Sequence, residues 1–109
     1  MNRPEAKLQG EWADYLRARD WFVKSTHGNM YQQGFPDLFC CHCGFGHRWC
    51  EMKIIKNLHF TPAQLETFPK LCAFGSGVWI VTDQLPFANQ YELVTRRKPN
   101  WYTFLDIWK

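Results

Sequence analysis

The sequence has no apolar run long enough to cross a bilayer, and its first residues, MNRPEAKLQGEW, lack the apolar core of a secretory signal peptide. Without such a signal, the five cysteines are expected to be reduced thiols in the cytoplasm, and their odd number agrees with this. Internal repeats, low-complexity tracts and linkers are also missing, so the 109 residues are predicted to form a single domain.

Aromatic residues are abundant, at 17% of the chain with six tryptophans. They suffice for a core, and the surplus could provide stacking or interface surfaces. The net charge of +3 is compatible with a nucleic-acid partner but is not evidence for one. Whether the chain binds nucleic acid depends on how the charge is distributed locally.

The first half of the chain predicts a helix, a strand and a hairpin. Apolar residues recur at helical spacing over 4–19, where Gly10 is a tolerated weakness, and WFVKST (21–26) is typical of a strand. FPDLFCCH and HRWCEMKII are predicted to be the arms of a hairpin around a glycine-containing turn at 43–46.

The second half predicts one more helix and one more strand. Thr61-Pro62-Ala63-Gln64 has the features of a helix start, and the helix is predicted to end or kink at Pro69. VWIVT (78–82) has no alternation, as expected of a strand covered on both faces. The order α-β-β-β-α-β predicts an α/β fold with a small mixed sheet flanked by helices, a core over 4–82 and an extension over 83–109.

Acidic residues flank the cysteine-rich hairpin. Residues two apart on a strand share a face, so Glu51 and Lys53 are predicted to point the same way, and hairpin pairing would bring Asp37 beside them. Glu11 lies at the margin of the apolar stripe of the first helix, and its carboxylate could point into the same site. Carboxylates suit Mg²⁺ or Mn²⁺, and a lysine adds positive charge for phosphodiester hydrolysis. Taken separately, each motif has an ordinary explanation. Pro-Asp is a common turn dipeptide, and Glu-x-Lys on a strand usually marks a solvent-exposed face whose charges pair with each other.

The combination of a helix acid, "GFPD", a hairpin, "CEMK" and "TPAQ" resembles the PD-(D/E)xK nuclease superfamily. Within it, the chain is most similar to the stand-alone VRR-NUC group, which is related to Holliday-junction resolvases. The resemblance covers about Glu11 to Thr82 and implies a restriction-endonuclease-like core. It implies a Mg²⁺- or Mn²⁺-dependent endonuclease that cuts branched or otherwise structured DNA and leaves a 5′-phosphate and a 3′-hydroxyl. The compact form is similar to phage-encoded members, for which the compartment is the host cytoplasm.

The resemblance also implies roles for individual residues. Asp37 and Glu51 would be metal ligands, with the backbone carbonyl of Met52 as a third. Lys53 would position or activate the attacking water, and Glu11 would complete the metal site directly or through water. No organic cofactor and no membrane partner are implied.

Two further assignments have alternatives. Gln64 matches the family glutamine beside the lysine, but a capping box alone explains a Gln at this position. Glu11 competes with Asp14, one turn away, and with Glu5, nearly two turns before it. His27 and His59 are predicted to be surface histidines and not catalytic bases.

A competing hypothesis rests on the thiols. Zinc-like spacing is present in Cys40, Cys43, His47 and Cys50, although the intervals are shorter than in a CCHC knuckle. A zinc clip there would favour a non-catalytic DNA- or protein-binding module, and a small inhibitor or adaptor is a third alternative. Buried cysteines more often act as small hydrophobes.

Basic residues near the acids are candidate contacts to the DNA backbone: Lys56 and Arg48 by sequence proximity, and Arg96, Arg97 and Lys98 as a second patch. The alternative for the second patch is a solvated loop. No recognition-helix signature is evident, so structure-directed cutting is expected.

A homodimer is also expected, because one small domain offers one active site and cutting both strands needs two. The aromatic tail is a candidate interface or, equally, part of the core: Trp101, Tyr102, Phe104, Leu105 and Trp108.

Overall fold

Residues 3–26 and 34–104 are described by a computed structural model, and within them four strands form one sheet. The strands are β1 (Phe22–Ser25), β2 (Leu38–His42), β3 (Gly46–Lys53) and β4 (Val78–Thr82), in the spatial order β1-β2-β3-β4. β2 is antiparallel to both β1 and β3, whereas β3 and β4 are parallel. The helices are α1 (Arg3–Arg17), α2 (Pro62–Ala73) and α3 (Phe87–Thr95), with 3-10 turns at Ile55–Asn57 and Trp101–Phe104. The predicted α/β fold with a mixed sheet is confirmed.

Helix α1 lies on one face of the sheet because its apolar residues repeat every three or four positions. Leu8, Trp12, Ala13 and Leu16 are buried against strand residues such as Met52 in the larger of two hydrophobic clusters. α1 ends at Arg17, two residues before the predicted end.

Helix α2 lies against the other face, at its β3–β4 side. Phe60 and Phe68 are fully buried there with Val78, Ile80 and Trp101. All five residues of β4 are buried, which confirms the prediction of a strand covered on both faces.

Helix α2 continues through Pro69 to Ala73, so of the two predicted effects of Pro69, an end or a kink, the end does not occur. Proline removes one N–H, which would have bonded the carbonyl of Leu65 four residues earlier, but the turns on either side keep their hydrogen bonds. Burial of Phe68 helps to hold the helix in place across the proline.

The extension contains a helix that the sequence analysis did not predict. The buried Gln90 of α3 donates hydrogen bonds to the carbonyl and hydroxyl oxygens of Thr82, at 3.0 and 3.2 Å. For the aromatic tail, the alternatives were a dimer interface and part of the core. Trp101 is buried in the core, whereas Tyr102 is 36% exposed. Leu105 and Trp108 lie outside the described residues, as does His27. No helix in the described part of the chain is long and apolar enough to cross a membrane.

Candidate active site

The two acids flanking the hairpin meet at the end of β3. Leu38 pairs with Cys50 across β2 and β3, so the next residues out along this register are Asp37 and Glu51. The backbone N–H of Asp37 donates to Oε1 of Glu51 at 3.2 Å. In return, the N–H of Met52 donates to Oδ2 of Asp37 at 2.8 Å. Each carboxyl group is therefore oriented by the backbone of the opposite strand.

The segment before β2 is itself held by β1. Thr26 donates its N–H to the carbonyl of Asp37 at 2.9 Å, and its hydroxyl to the carbonyl of Pro36 at 2.6 Å. Thr26 was not among the predicted site residues. Its place at the end of WFVKST, opposite the Pro-Asp pair, was the only available signal.

Lys53 points to the same side of β3 as Glu51, as the period of two predicted. Its Nζ donates to the carbonyl of His59 at 2.6 Å and to Oε1 of Gln64 at 2.9 Å, and lies 3.4 Å from Oε2 of Glu51. It also lies 4.7 Å from the centre of the Phe60 ring. The ammonium group is thus fixed by contacts on several sides.

Gln64 forms the capping box that the sequence analysis predicted, and its side chain also lies beside Lys53. It forms a capping box with Thr61, accepting the N–H of Thr61 on Oε1 at 3.0 Å and donating its own N–H to Oγ1 at 3.1 Å. The same carboxamide donates from Nε2 to Oε2 of Glu51 at 2.9 Å and accepts from Lys53. The start of α2 therefore connects the acid to the lysine.

Burial dominates the electrostatics of the site. The side chains of Glu51 and Lys53 are 5% and 8% exposed. Desolvation and then the charge of Asp37 raise the pKa of Glu51 to about 8, against the opposing effects of Lys53 and Gln64. Two carboxyl groups thus face one ammonium group. Carboxylate oxygens are the ligand type that hard divalent cations prefer.

Glu11 is not brought to these acids. It lies on the sheet face that α1 covers, is 53% exposed, and has a 3.9 Å ion pair with Lys7. It lines a cavity of about 300 Å³ with Asp83, whose Oδ1 accepts the N–H of Ile55 at 3.0 Å. Among residues 3–26 and 34–104, no three His, Cys, Asp or Glu residues are grouped so that they could hold a metal ion.

The four candidate zinc ligands are also dispersed. Cys40 and Cys50 are fully buried with their sulfurs 3.9 Å apart, and this contact, followed by burial, raises the pKa of Cys40. Cys43 is exposed in the turn, and His47 is exposed with its Nε2 2.9 Å from Oγ of Ser76. In this arrangement Cys40 and Cys50 are part of the hydrophobic core.

Arg48 differs most from its predicted place. It is buried, and its Nε donates to the carbonyl of Val94 at 2.8 Å while its guanidinium lies 4.7 Å from the centre of a Trp79 ring. Burial lowers its pKa. Arg48 therefore holds the end of α3 and is not available as a surface contact to DNA.

The other basic candidates are exposed. Lys56 lies in the turn that follows β3, three residues beyond Lys53. Arg96, Arg97 and Lys98 follow α3. Arg97 lines a cavity with His47 at the start of β3, and the six strand steps from His47 to Lys53 span about 20 Å. This basic group therefore lies far from the acids.

Comparison with models of protein families gave no match for this chain. The searches of curated proteins and of solved structures likewise returned none.

Proposed function

We propose that the chain is a Mg²⁺- or Mn²⁺-dependent endonuclease that hydrolyses DNA phosphodiester bonds. The observation that carries the proposal is one hydrogen-bonded network that joins Asp37, Glu51, Lys53 and Gln64 at the end of the hairpin. Two carboxyls, a fixed ammonium and a carboxamide are the groups that this chemistry needs.

The fold supports the same proposal. Its core follows the order α1-β1-β2-β3-α2-β4, with an antiparallel hairpin next to a parallel pair. This agrees with a restriction-endonuclease-like core of the VRR-NUC type over 4–82. We include that finer fold assignment in the proposal.

Asp37 and Glu51 would hold the divalent cation, with the carbonyl of Met52 as a third ligand. When bound, the metal supplies charge neutralisation at the phosphate and a water of lowered pKa. Burial raises the pKa of Glu51, so this carboxyl would release a proton to solvent on binding the cation.

Lys53 places a positive charge where negative charge develops on the phosphoryl group. Hydrogen bonds from its ammonium group to Gln64 and to the carbonyl of His59 keep it from forming a closer ion pair with Glu51. Gln64 is a positioning residue that keeps the acid and the lysine in one geometry. Glu11 is outside the network, and we assign it no part in the reaction.

The DNA would be held through its backbone, with the exposed Lys56 nearest to the site. Such contacts do not read bases, so selection by DNA structure, at branches or junctions, follows from the proposal. Each chain offers one site, and two copies in a homodimer would cut both strands.

The test is cleavage of a labelled panel: four-way junction, flap, nicked duplex, linear duplex and single strand. Each substrate is incubated with Mg²⁺, Mn²⁺ or EDTA. We expect cleavage of at least one branched substrate with either metal, none in EDTA, and a 5′-phosphate on the product. Folded protein that is inert on every substrate, or that cuts equally well in EDTA, would overturn the proposal.

A further inference from the structure

Among the described residues, the sheet face that carries the candidate site is only partly covered on its β1 side. α2 and Trp101 bury the β4 residues Val78 and Ile80. On the same face, Phe39 and Trp49 are half-buried, and Phe22 and Lys24 are exposed. Phe22 is 58% exposed and Phe35 is 38% exposed. We define the aromatic platform as the following residues of this face: Phe22, Lys24, Phe35, Phe39 and Trp49.

Strand register places the platform next to the acids. Lys24 pairs with Phe39, and Phe39 pairs with Trp49, so these three residues form one row across β1, β2 and β3. Asp37 and Glu51 are each two residues further along their strands. That step is about 7 Å, on the same face. A chain bound in the site can therefore continue directly onto the platform.

Three rings of the platform are joined through Trp49. The Trp49 ring centre is 5.2 Å from that of Phe39 and 5.7 Å from that of Phe35. This packing fixes their orientation, as a rigid stacking surface requires. Phe22 lies in the neighbouring row, opposite Cys41, and provides a separate and more exposed ring.

The charge of the platform matches a phosphate backbone. Among the described residues in the row of Phe22 and the row of Phe39, Lys24 carries the only formal charge, and it is exposed. Proteins bind single-stranded nucleic acid with surfaces of this kind. The bases stack on the aromatic rings, and the phosphates pair with the positive charge.

We infer that the aromatic platform binds unpaired nucleotides, with bases stacked on its rings and a phosphate near Lys24. The inference rests on the proposed function in one respect, because it names the substrate of that site. The preferred DNA would carry a single-stranded arm next to the cut, as in a flap or splayed duplex, and a fully paired four-way junction would be the poorer substrate.

Binding is measured apart from cleavage, by fluorescence anisotropy in EDTA. The probe is a fluorescein-labelled oligothymidylate of about 15 nucleotides, with an abasic oligomer of equal length and charge for comparison. We expect Phe22→Ser to weaken oligothymidylate binding about tenfold, and the wild type to bind the abasic oligomer at least about tenfold more weakly.

The matched control is Phe74→Ser, which removes a 90% exposed aromatic residue at the end of α2, outside the platform. It should bind like the wild type. Phe22 is largely exposed, so its replacement should leave the fold intact, and thermal unfolding checks this. Phe39→Leu gives a second variant within the row nearest to the acids.

The inference is overturned if Phe22→Ser and Phe39→Leu both bind oligothymidylate as tightly as the wild type, or if the abasic oligomer binds equally well. Sedimentation that shows Phe22→Ser breaking a dimer, with oligothymidylate binding unchanged, would assign the face to a second copy of the chain instead. Base-dependent binding without any cleavage would support the platform and reject the nuclease. Cleavage without base-dependent binding would reject the platform alone.

Discussion

At the scale of single residues, Glu51 has the most unusual environment in the site. Its carboxyl is buried, beside a second carboxyl, and accepts hydrogen bonds from the N–H of Asp37 and from Gln64. Its pKa rises from 4.5 to about 8, and burial is the largest cause. A group whose pKa is raised on folding stabilises the protein fully below its unfolded pKa. That stability is lost as the pH rises through the folded value.

In EDTA, the free energy of unfolding should therefore fall between about pH 5 and pH 8 by a few kcal/mol more in the wild type than in Glu51→Gln. Glutamine imitates the protonated acid and does not titrate. Urea unfolding at several pH values measures the difference. Glu66→Gln, which removes an exposed ion pair with Lys70, should retain the wild-type dependence. Parallel pH profiles for wild type and Glu51→Gln would show that Glu51 titrates normally.

Substitutions of Thr61 and Gln64 can distinguish the capping of α2 from the contacts that Gln64 makes with Glu51 and Lys53. Thr61→Ala removes the cap and should cost about 1 kcal/mol of stability, with the cleavage rate of the folded protein nearly unchanged. Gln64→Ala also removes the link between acid and lysine, and should slow cleavage about 10–100-fold. Single-turnover rates and urea unfolding of both variants make the comparison. Equal rates for the two variants would reduce Gln64 to a capping residue.

At the scale of elements, the contact between the Asp37 loop and α2 sets the geometry of the site. Gly34 has a φ of +85°, and a Cβ there would lie 2.6 Å from the carbonyl oxygen of Ala63 and 2.7 Å from Oγ1 of Thr67. Both features call for glycine, because an L side chain would strain the backbone and push α2 away.

Gly34→Ala should lower the free energy of unfolding by about 2 kcal/mol, and slow cleavage by displacing the helix that carries Gln64. The matched substitution Gly10→Ala lies in α1 with open space around it, and should stabilise the protein by about 0.5–1 kcal/mol. Urea unfolding measures both. A neutral Gly34→Ala would mean that the loop and helix adjust without strain.

Local signals explain which elements could be predicted. The hairpin, the capping box and the buried run at 78–82 are encoded in short sequence patterns, and the structure contains all three. Helix α3 lacks such a pattern, since Pro86 at its N-cap makes no side-chain capping bond. Its position depends on tertiary contacts, such as those of Gln90 with Thr82, that no local pattern reveals.

For the site, the strongest sequence signal was the two-residue alternation of side chains along a β-strand. The sequence analysis applied it to Glu51 and Lys53 but not to Arg48. It correctly placed Glu51 and Lys53 together. The same period puts Arg48, an odd number of residues from Lys53, on the opposite face, where it is buried. Proximity in sequence was therefore the wrong criterion for a DNA contact. The separation of Glu11 from the acids depends on how α1 packs, which sequence spacing does not determine.

At the scale of the whole molecule, the exposed basic residues that were predicted to contact DNA fall into two groups. Lys56 follows Lys53 by three residues, whereas Arg97 lies near the start of β3, about 20 Å from Lys53 along the strand. That distance corresponds to about six base pairs of duplex. The second group can contribute only when a paired arm reaches that far.

Replacing both Arg96 and Arg97 with alanine should weaken binding of a long-armed substrate. It should also reduce the slope of log affinity against log salt by about 2, while short-armed substrates bind as before. Anisotropy titrations at several salt concentrations in EDTA give the slopes. An equal loss for short and long arms would place the duplex on a different surface, and no loss for either would leave 96–98 as a solvated loop.

The central claim is that Glu51 acts in a metal-dependent cleavage reaction. Its most direct test is the single-turnover rate on a flap substrate with saturating Mg²⁺, for wild type, Glu51→Gln and the exposed control Glu66→Gln. Because glutamine has nearly the shape of the acid but no charge, Glu51→Gln should remain folded and yet cleave at least about 100-fold more slowly. Glu66→Gln should cleave at the wild-type rate. Cleavage by folded Glu51→Gln at the wild-type rate would contradict the account.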